Sequence, residues 1–201
     1  MDVRGADYRP AALTRRVEAG VGGHTTDAEA ATRWISARLG FAAVLWIIRH
    51  AAALDRYLYD GPDVERPLND WGRTQADALA GIEELRQANE LYSSPAVRCT
   101  QTLAPLAHAT SLEIVEHRAL GEGSSAADAL ALVRTLTGTD AVLCSHGDVI
   151  PMLIGELTAD GMTIVGSRGC EKASIWRLEV SGSDIVRGQY QPPLDQIRPT
   201  N

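Results

Sequence analysis

Apolar residues recur along this chain in two rhythms. Short apolar runs bounded by polar positions occupy 43–48, 90–93, 113–116 and 140–145, followed by 173–180 and a weaker run at 184–190, and runs of that length predict strands. Between them, residues 72–88, 95–109, 124–137 and 148–159 carry the spacing of helices with one face on a core. Strand and helix alternate through short connections. The predicted fold is therefore an α/β three-layer α/β/α sandwich with a mostly parallel central sheet.

The rhythm starts late. Residues 1 to about 27 are rich in Gly, Ala, Arg and Asp, with Gly20-Val21-Gly22-Gly23 near their end, and are expected to form a flexible arm. Asp27 is placed to cap a helix from Ala28 to Leu39 that stops at Gly40. Its Trp34, Ile35 and Leu39 would cover the body or a neighbouring molecule, so self-association through residues 26–40 is an expectation. The chain divides into an arm plus short helix, 1–40, and a body, 41–201.

Charge narrows the partners. Nineteen Lys+Arg against 26 Asp+Glu leave a net charge of −7, which argues against nucleic acid or an anionic membrane as the main partner. Of those basic residues only Lys172 is a lysine, so an anion here would be gripped chiefly by guanidinium forks. Cys99, Cys144 and Cys170 are odd in number and lack CxxC spacing, indicating neither a disulfide framework nor a zinc site. No apolar run long enough to span a bilayer and no export signal is read, and a reducing cytoplasm is the expected location.

The chemistry gathers at strand ends. Leu45-Trp46-Ile47-Ile48 runs directly into Arg49-His50-Ala51, which places a cation and an imidazole at the carboxyl edge of a sheet, where open α/β folds keep their ligand crevices. A second arginine follows in Ser93-Ser94-Pro95-Ala96-Val97-Arg98, and a second histidine in Leu143-Cys144-Ser145-His146-Gly147. Arg98 falls in the first turn of a helix that begins after a serine cap, and it is expected to face the same edge. Gln101-Thr102, one turn later, either support the loop or face solvent. Asp148 is expected to cap the helix that follows His146.

Arg49-His50-Ala51, Arg66-Pro67-Leu68, Gly72-Arg73-Thr74-Gln75-Ala76, Ser93-Ser94-Pro95 with Arg98 and Gln101-Thr102, and Ser145-His146-Gly147 stand in this order. The pattern resembles the histidine phosphatase, or phosphoglycerate-mutase-like, superfamily, and within it the short bacterial phosphohistidine phosphatases and the phosphatase domains fused to Nudix domains. The resemblance covers about residues 43 to 190 and departs at Ala51, where many members have glycine.

What the resemblance implies is a metal-independent phosphatase acting on a phosphomonoester or phosphoramidate. His50 would attack phosphorus and carry a phosphohistidine, while Arg49, Arg98 and His146 hold the phosphoryl oxygens. Physical chemistry suits that division: a neutral imidazole is a competent nucleophile near pH 7, and two arginines with a protonated His146 stabilise charge without a metal. The proton donor in such a site is acidic and lies between the second arginine and the second histidine. Glu122 is the best placed, ahead of Glu116 and Asp128. Specificity is expected from the loop 52–71, which carries Arg56 and Arg66, and from 160–172; there Lys172 either adds a basic group to the pocket or is a solvated strand start.

Other chemistries lack their residues. A cysteine phosphatase needs Cys-x5-Arg, but the sixth residue after Cys144 is Ile150 and after Cys99 is Pro105. Leu143 stands where a serine-hydrolase elbow needs glycine. Neither a phosphate-binding P-loop nor a dinucleotide motif occurs, and no cofactor is expected. Two alternatives stay open: a mutase-type phosphoryl transferase, for which the short Arg98-to-Glu122 interval leaves little lid, and a non-catalytic phospholigand-binding module. The expected partner is a phosphorylated small molecule or a phosphohistidine protein.

Overall fold

The computed structural model describes residues 43–194. In chain order its strands are β1 (Ala43–Arg49), β2 (Glu90–Ser93), β3 (Ile114–Glu116), β4 (Ala141–Ser145), β5 (Thr163–Val165), β6 (Ile175–Ser181) and β7 (Asp184–Gln191). The helices are α1 (Asp70–Ala80), α2 (Val97–Thr110), α3 (Ala126–Thr135) and α4 (Val149–Ala159). The strands form one sheet in the order β3-β2-β4-β1-β6-β7-β5. The β3, β2, β4 and β1 block is parallel throughout; β6 runs antiparallel to β1 and β7, and β5 is parallel to β7. The sheet is thus mixed but mostly parallel, and the layered α/β fold is as expected.

Strand β1 explains its own continuous apolarity. Its side chains alternate between two cores: Leu45 and Ile47 join residues of α3 and α4, whereas Trp46 and Ile48 join residues of α1 and α2. A central parallel strand covered on both faces has no polar side to show. Leu45, Ile47 and Ile48 are fully buried, and each contributes about 1.5–3 kcal/mol relative to exposure.

Two elements differ from the periodicity. The helix expected at 72–88 begins at Asp70, because Asn69 caps it by accepting from the Gly72 N–H at 2.8 Å, and it ends at Ala80. Residues Leu85–Gln87 then form a separate 3-10 turn. Leu79 and Leu85 are both buried, so the apolar spacing ran on across the break. Strand β5 left no signal in the pattern, being three half-exposed to exposed residues at the sheet's edge. The expected arm, the helix at 28–39 and the self-association assigned to it lie outside the described residues.

The order of the strands positions the site. Because β2, β4 and β1 run the same way, their carboxyl ends share one edge, and β6, antiparallel to β1, begins there. The His50 N–H donates to Ser145 O, the Ser94 N–H to Cys144 O and the Ala173 N–H to Arg49 O, each at 3.0 Å. Four segments remote in sequence therefore meet beyond the ends of adjacent strands.

Candidate active site

His50 follows β1 directly and is buried. Its Nδ1 lies 2.8 Å from Ala51 O, and a carbonyl only accepts, so Nδ1 carries the hydrogen and Nε2 keeps its lone pair. Lys172 Nζ donates to that Nε2 at 3.2 Å. Burial first, and then the Lys172 charge, lower the pKa of His50 to about 2, because both disfavour a second positive charge there. The imidazole is neutral at pH 7. The backbone beyond it is pinned by side chains: the Ala51 N–H donates to Thr102 Oγ1 at 3.0 Å and the Ala52 N–H to Gln75 Oε1 at 2.9 Å. Gln101 Oε1 accepts from the Leu68 N–H at 2.8 Å, so both Gln101 and Thr102 support the loop.

His146 occupies the matching position after β4, its ring centroid 5.2 Å from that of His50. Arg98 Nη2 approaches His146 Nδ1 at 3.4 Å. A guanidinium only donates, so Nδ1 accepts and Nε2 bears the hydrogen, which goes to Ser94 Oγ at 2.8 Å. The serine near the start of α2 does other work than expected. The N-cap of α2 is Ala96, with no side-chain cap, and Ser94 Oγ accepts from the Ala96 N–H at 3.2 Å while it holds His146.

Arg98 is fully buried at the start of α2. Its Nη1 donates to Asp63 O at 2.7 Å, and its Nη2 meets Glu122 Oε2 at 2.5 Å and Asp63 Oδ2 at 3.1 Å. Glu122 also pairs with Arg56 Nη2 at 2.9 Å. Asp63 gathers three arginines, since Arg56 Nε lies at 3.1 Å and Arg66 Nε at 2.9 Å. Burial pushes the Asp63 carboxyl up, but the Arg66 hydrogen bond and the charges of Arg98, Arg66 and Arg56 outweigh it and hold the pKa below the ordinary value. Arg66 is buried and donates to Leu54 O at 2.7 Å, so it braces the loop from within. Arg56 is exposed at the rim.

Asp148 corrects a further expectation. It makes no cap hydrogen bond to α4; its Oδ2 instead accepts from the Gly123 N–H at 2.7 Å. Ser145 Oγ donates to Leu120 O at 2.8 Å, so the β4 end grips the Glu122 turn on both sides. Of the lesser acid candidates, Asp128 accepts from Ser125 Oγ at 2.7 Å at the start of α3, and Glu116 is exposed on the edge strand β3.

Arg49 ends β1 with Nη1 on Cys170 O at 2.5 Å. The Nε atoms of Arg49 and Arg98 are buried with no hydrogen-bond partner among the described residues, a costly state for a donor that an oxyanion would relieve. The site thus unites Arg49, His50, Arg98, Glu122, His146 and Lys172. Sequence reasoning missed Asp63, whose long polar loop has no periodicity to mark it, as well as the roles of Ser94 and Asp148. Among the described residues no three His, Cys, Asp or Glu side chains are grouped to hold a metal ion, and no helix is long and apolar enough to cross a membrane.

The family model of the histidine phosphatase superfamily, branch 1, matches residues 45–127, a span holding Arg49, His50, Arg98 and Glu122. The 8-oxo-(d)GTP phosphatase of Mycolicibacterium smegmatis is 34% identical over 155 residues, covering 75% of this chain and 48% of that protein. The chain therefore spans about half the length of this relative. Among solved structures, the protein histidine phosphatase SixA complexed with tungstate aligns with a TM-score of 0.57 at 20% identity, covering 74% of this chain and 94% of that one. The mycobacterial glucosyl-3-phosphoglycerate phosphatase aligns with a TM-score of 0.56 at 20% identity, covering 74% and 96%. These two share the fold. The chain belongs to the histidine phosphatase superfamily.

Proposed function

We propose that this protein is a phosphatase that removes a terminal phosphoryl group, as ester or phosphoramidate, through a phosphohistidine intermediate on Nε2 of His50, without a metal cofactor. The observation that carries this reading is the neutral His50 ring, held by Ala51 O with its Nε2 lone pair turned toward a cation. In the first step Nε2 forms a bond to phosphorus as the bond to the leaving group breaks, and Glu122, displaced from Arg98 by the incoming phosphoryl group and protonated by the substrate monoanion, passes that proton to the leaving group. In the second, water attacks phosphorus, Glu122 takes the water's proton, and the N–P bond breaks to release inorganic phosphate. Arg49 and Arg98 bind the phosphoryl oxygens throughout, with His146 beside them. Fixed donors of this kind stabilise the charge that spreads over those oxygens in the transition state.

By their names, the relatives act on 8-oxo-(d)GTP, on protein phosphohistidine and on glucosyl-3-phosphoglycerate. A terminal phosphoryl group is common to all three, and a phosphometabolite panel identifies the leaving group here. The decisive test is His50→Ala. Turnover of an aryl phosphate is expected to fall by several orders of magnitude with the fold retained, and the wild type is expected to trap acid-labile, alkali-stable phosphate on His50. Residual activity above about a tenth of wild type, or a rate abolished by EDTA, defeats the proposal. A site that binds phosphate with no turnover is instead the binding module.

A further inference from the structure

Two cations at this site differ from the rest. Arg98, Arg66 and Arg56 are all paired with Asp63 or Glu122. Among the described residues no carboxylate pairs with Arg49 or with Lys172, and these two flank His50. The positive charge not already offset by a carboxylate therefore lies beside the nucleophile. We propose that Lys172 is a catalytic residue whose ammonium holds Nε2 of His50 in the resting site and passes to a phosphoryl oxygen when substrate arrives. This rests on the phosphatase reading above.

The backbone aims the side chain. Lys172 stands in a turn closed by the Ser174 N–H donating to Glu171 O at 3.0 Å, and its own carbonyl accepts from Gln75 Nε2 at 3.5 Å. Ala173 adopts a φ of +60°, a left-handed conformation that a residue with a Cβ takes up at a cost and that concentrates at functional sites. The turn leads into β6, which fixes it to the Arg49 carbonyl. Nζ is thereby placed 3.2 Å from the reacting nitrogen.

The transfer is consistent in atoms and charge. While the site is empty, the Nε2 lone pair accepts a hydrogen from the ammonium. When substrate arrives the N–H redirects to a phosphoryl oxygen within reach, which frees the lone pair to form the bond to phosphorus. Lysine keeps its proton in both states. A dianion also removes what burdens the ammonium, because burial first, and then Arg49, Arg66 and Arg98, lower its pKa to about 8. The groups facing it are Arg49 at the end of β1 and His50 just after it, Arg66 from the loop before α1, Arg98 and Cys99 from α2, and Cys170 on its own loop. Only the protonated form serves, so kcat/KM falls on the alkaline side of about pH 8.

The test compares wild type with Lys172→Met and Lys172→Arg, using calorimetric titration with orthovanadate at pH 7 and the pH profile of aryl phosphate hydrolysis. Lys172→Met is expected to bind vanadate about tenfold more weakly or worse, the loss of one charge-assisted hydrogen bond. Lys172→Arg, charged at every accessible pH, is expected to retain most binding and to move the alkaline limb upward by more than about one pH unit. A purely structural lysine would lower the rate and leave that limb in place. Wild-type vanadate affinity in Lys172→Met, or an unmoved limb in Lys172→Arg, overturns the proposal; if the methionine variant fails to fold, the arginine profile decides alone. Should wild type bind no vanadate, the phosphatase reading falls as well. Vanadate binding with a labelled His50 and an indifferent Lys172 sinks only this inference.

Discussion

Gly147 and Arg49 are in such close approach that a Cβ on the glycine would stand 2.7 Å from the Arg49 guanidinium carbon. The guanidinium is also tied to Cys170 O, so it has little freedom to move aside. Gly147→Ala is expected to keep the fold and to lower kcat/KM by about a hundredfold, the scale of a small misplacement of a positioning group. Steady-state kinetics alongside a melting curve checks this. Wild-type kinetics in the alanine variant would show that Arg49 does not contact the reacting group.

His50 makes stability depend on pH in a defined direction. Its pKa is lowered from 6.5 to about 2 in the folded protein, so below pH 6.5 the unfolded chain takes up a proton that the folded chain refuses. The contribution of this residue is therefore complete above pH 6.5 and is lost as pH falls, by up to about 1.4 kcal/mol per pH unit. Urea titrations from pH 7 to 5 are expected to show that loss in wild type and a flatter dependence in His50→Gln. Identical slopes would mean that the imidazole is protonated in the folded state.

Glu122 is expected to matter according to the leaving group. Glu122→Gln keeps the shape of the side chain and removes its proton, so alkyl phosphates, which need that proton in the transition state, should slow by about a hundredfold or more while aryl phosphates slow far less. Rates on a series of leaving groups of graded basicity decide it. Equal losses across the series would move the acid role away from Glu122.

Asp148 separates a helix cap from a loop clamp. With no cap bond to α4 and a 2.7 Å bond from the Gly123 N–H, Asp148→Ala is expected to cost under about 1 kcal/mol in stability, below a typical lost cap. It should also reproduce, more weakly, the leaving-group dependence of Glu122→Gln. Denaturant midpoints and the same substrate series measure both effects. A loss near 2 kcal/mol with unaltered substrate dependence would restore the capping role.

Determined by the sequence alone were the alternation of apolar runs, and with it the layered fold, together with the placing of Arg49, His50 and His146 at strand ends. These are local matters: a doubly covered strand must be apolar along its length, as β1 is, and a polar residue directly after it must lie at the sheet's edge. Helix ends were less legible, because Leu79 and Leu85 share one core across a break that the spacing does not record. What only the tertiary structure decided is how the charges pair. Asp63 and Arg98 lie far apart in the chain, and the loop that carries Asp63 has no repeating pattern to signal where it folds back. Whether Asp148 caps a helix or holds Gly123 depends on which donor comes within hydrogen-bond reach, and that is a distance between segments. Lys172 reaches the nucleophile because β6 pairs antiparallel to β1 and so begins where β1 ends, a consequence of strand order that no spacing along the chain encodes.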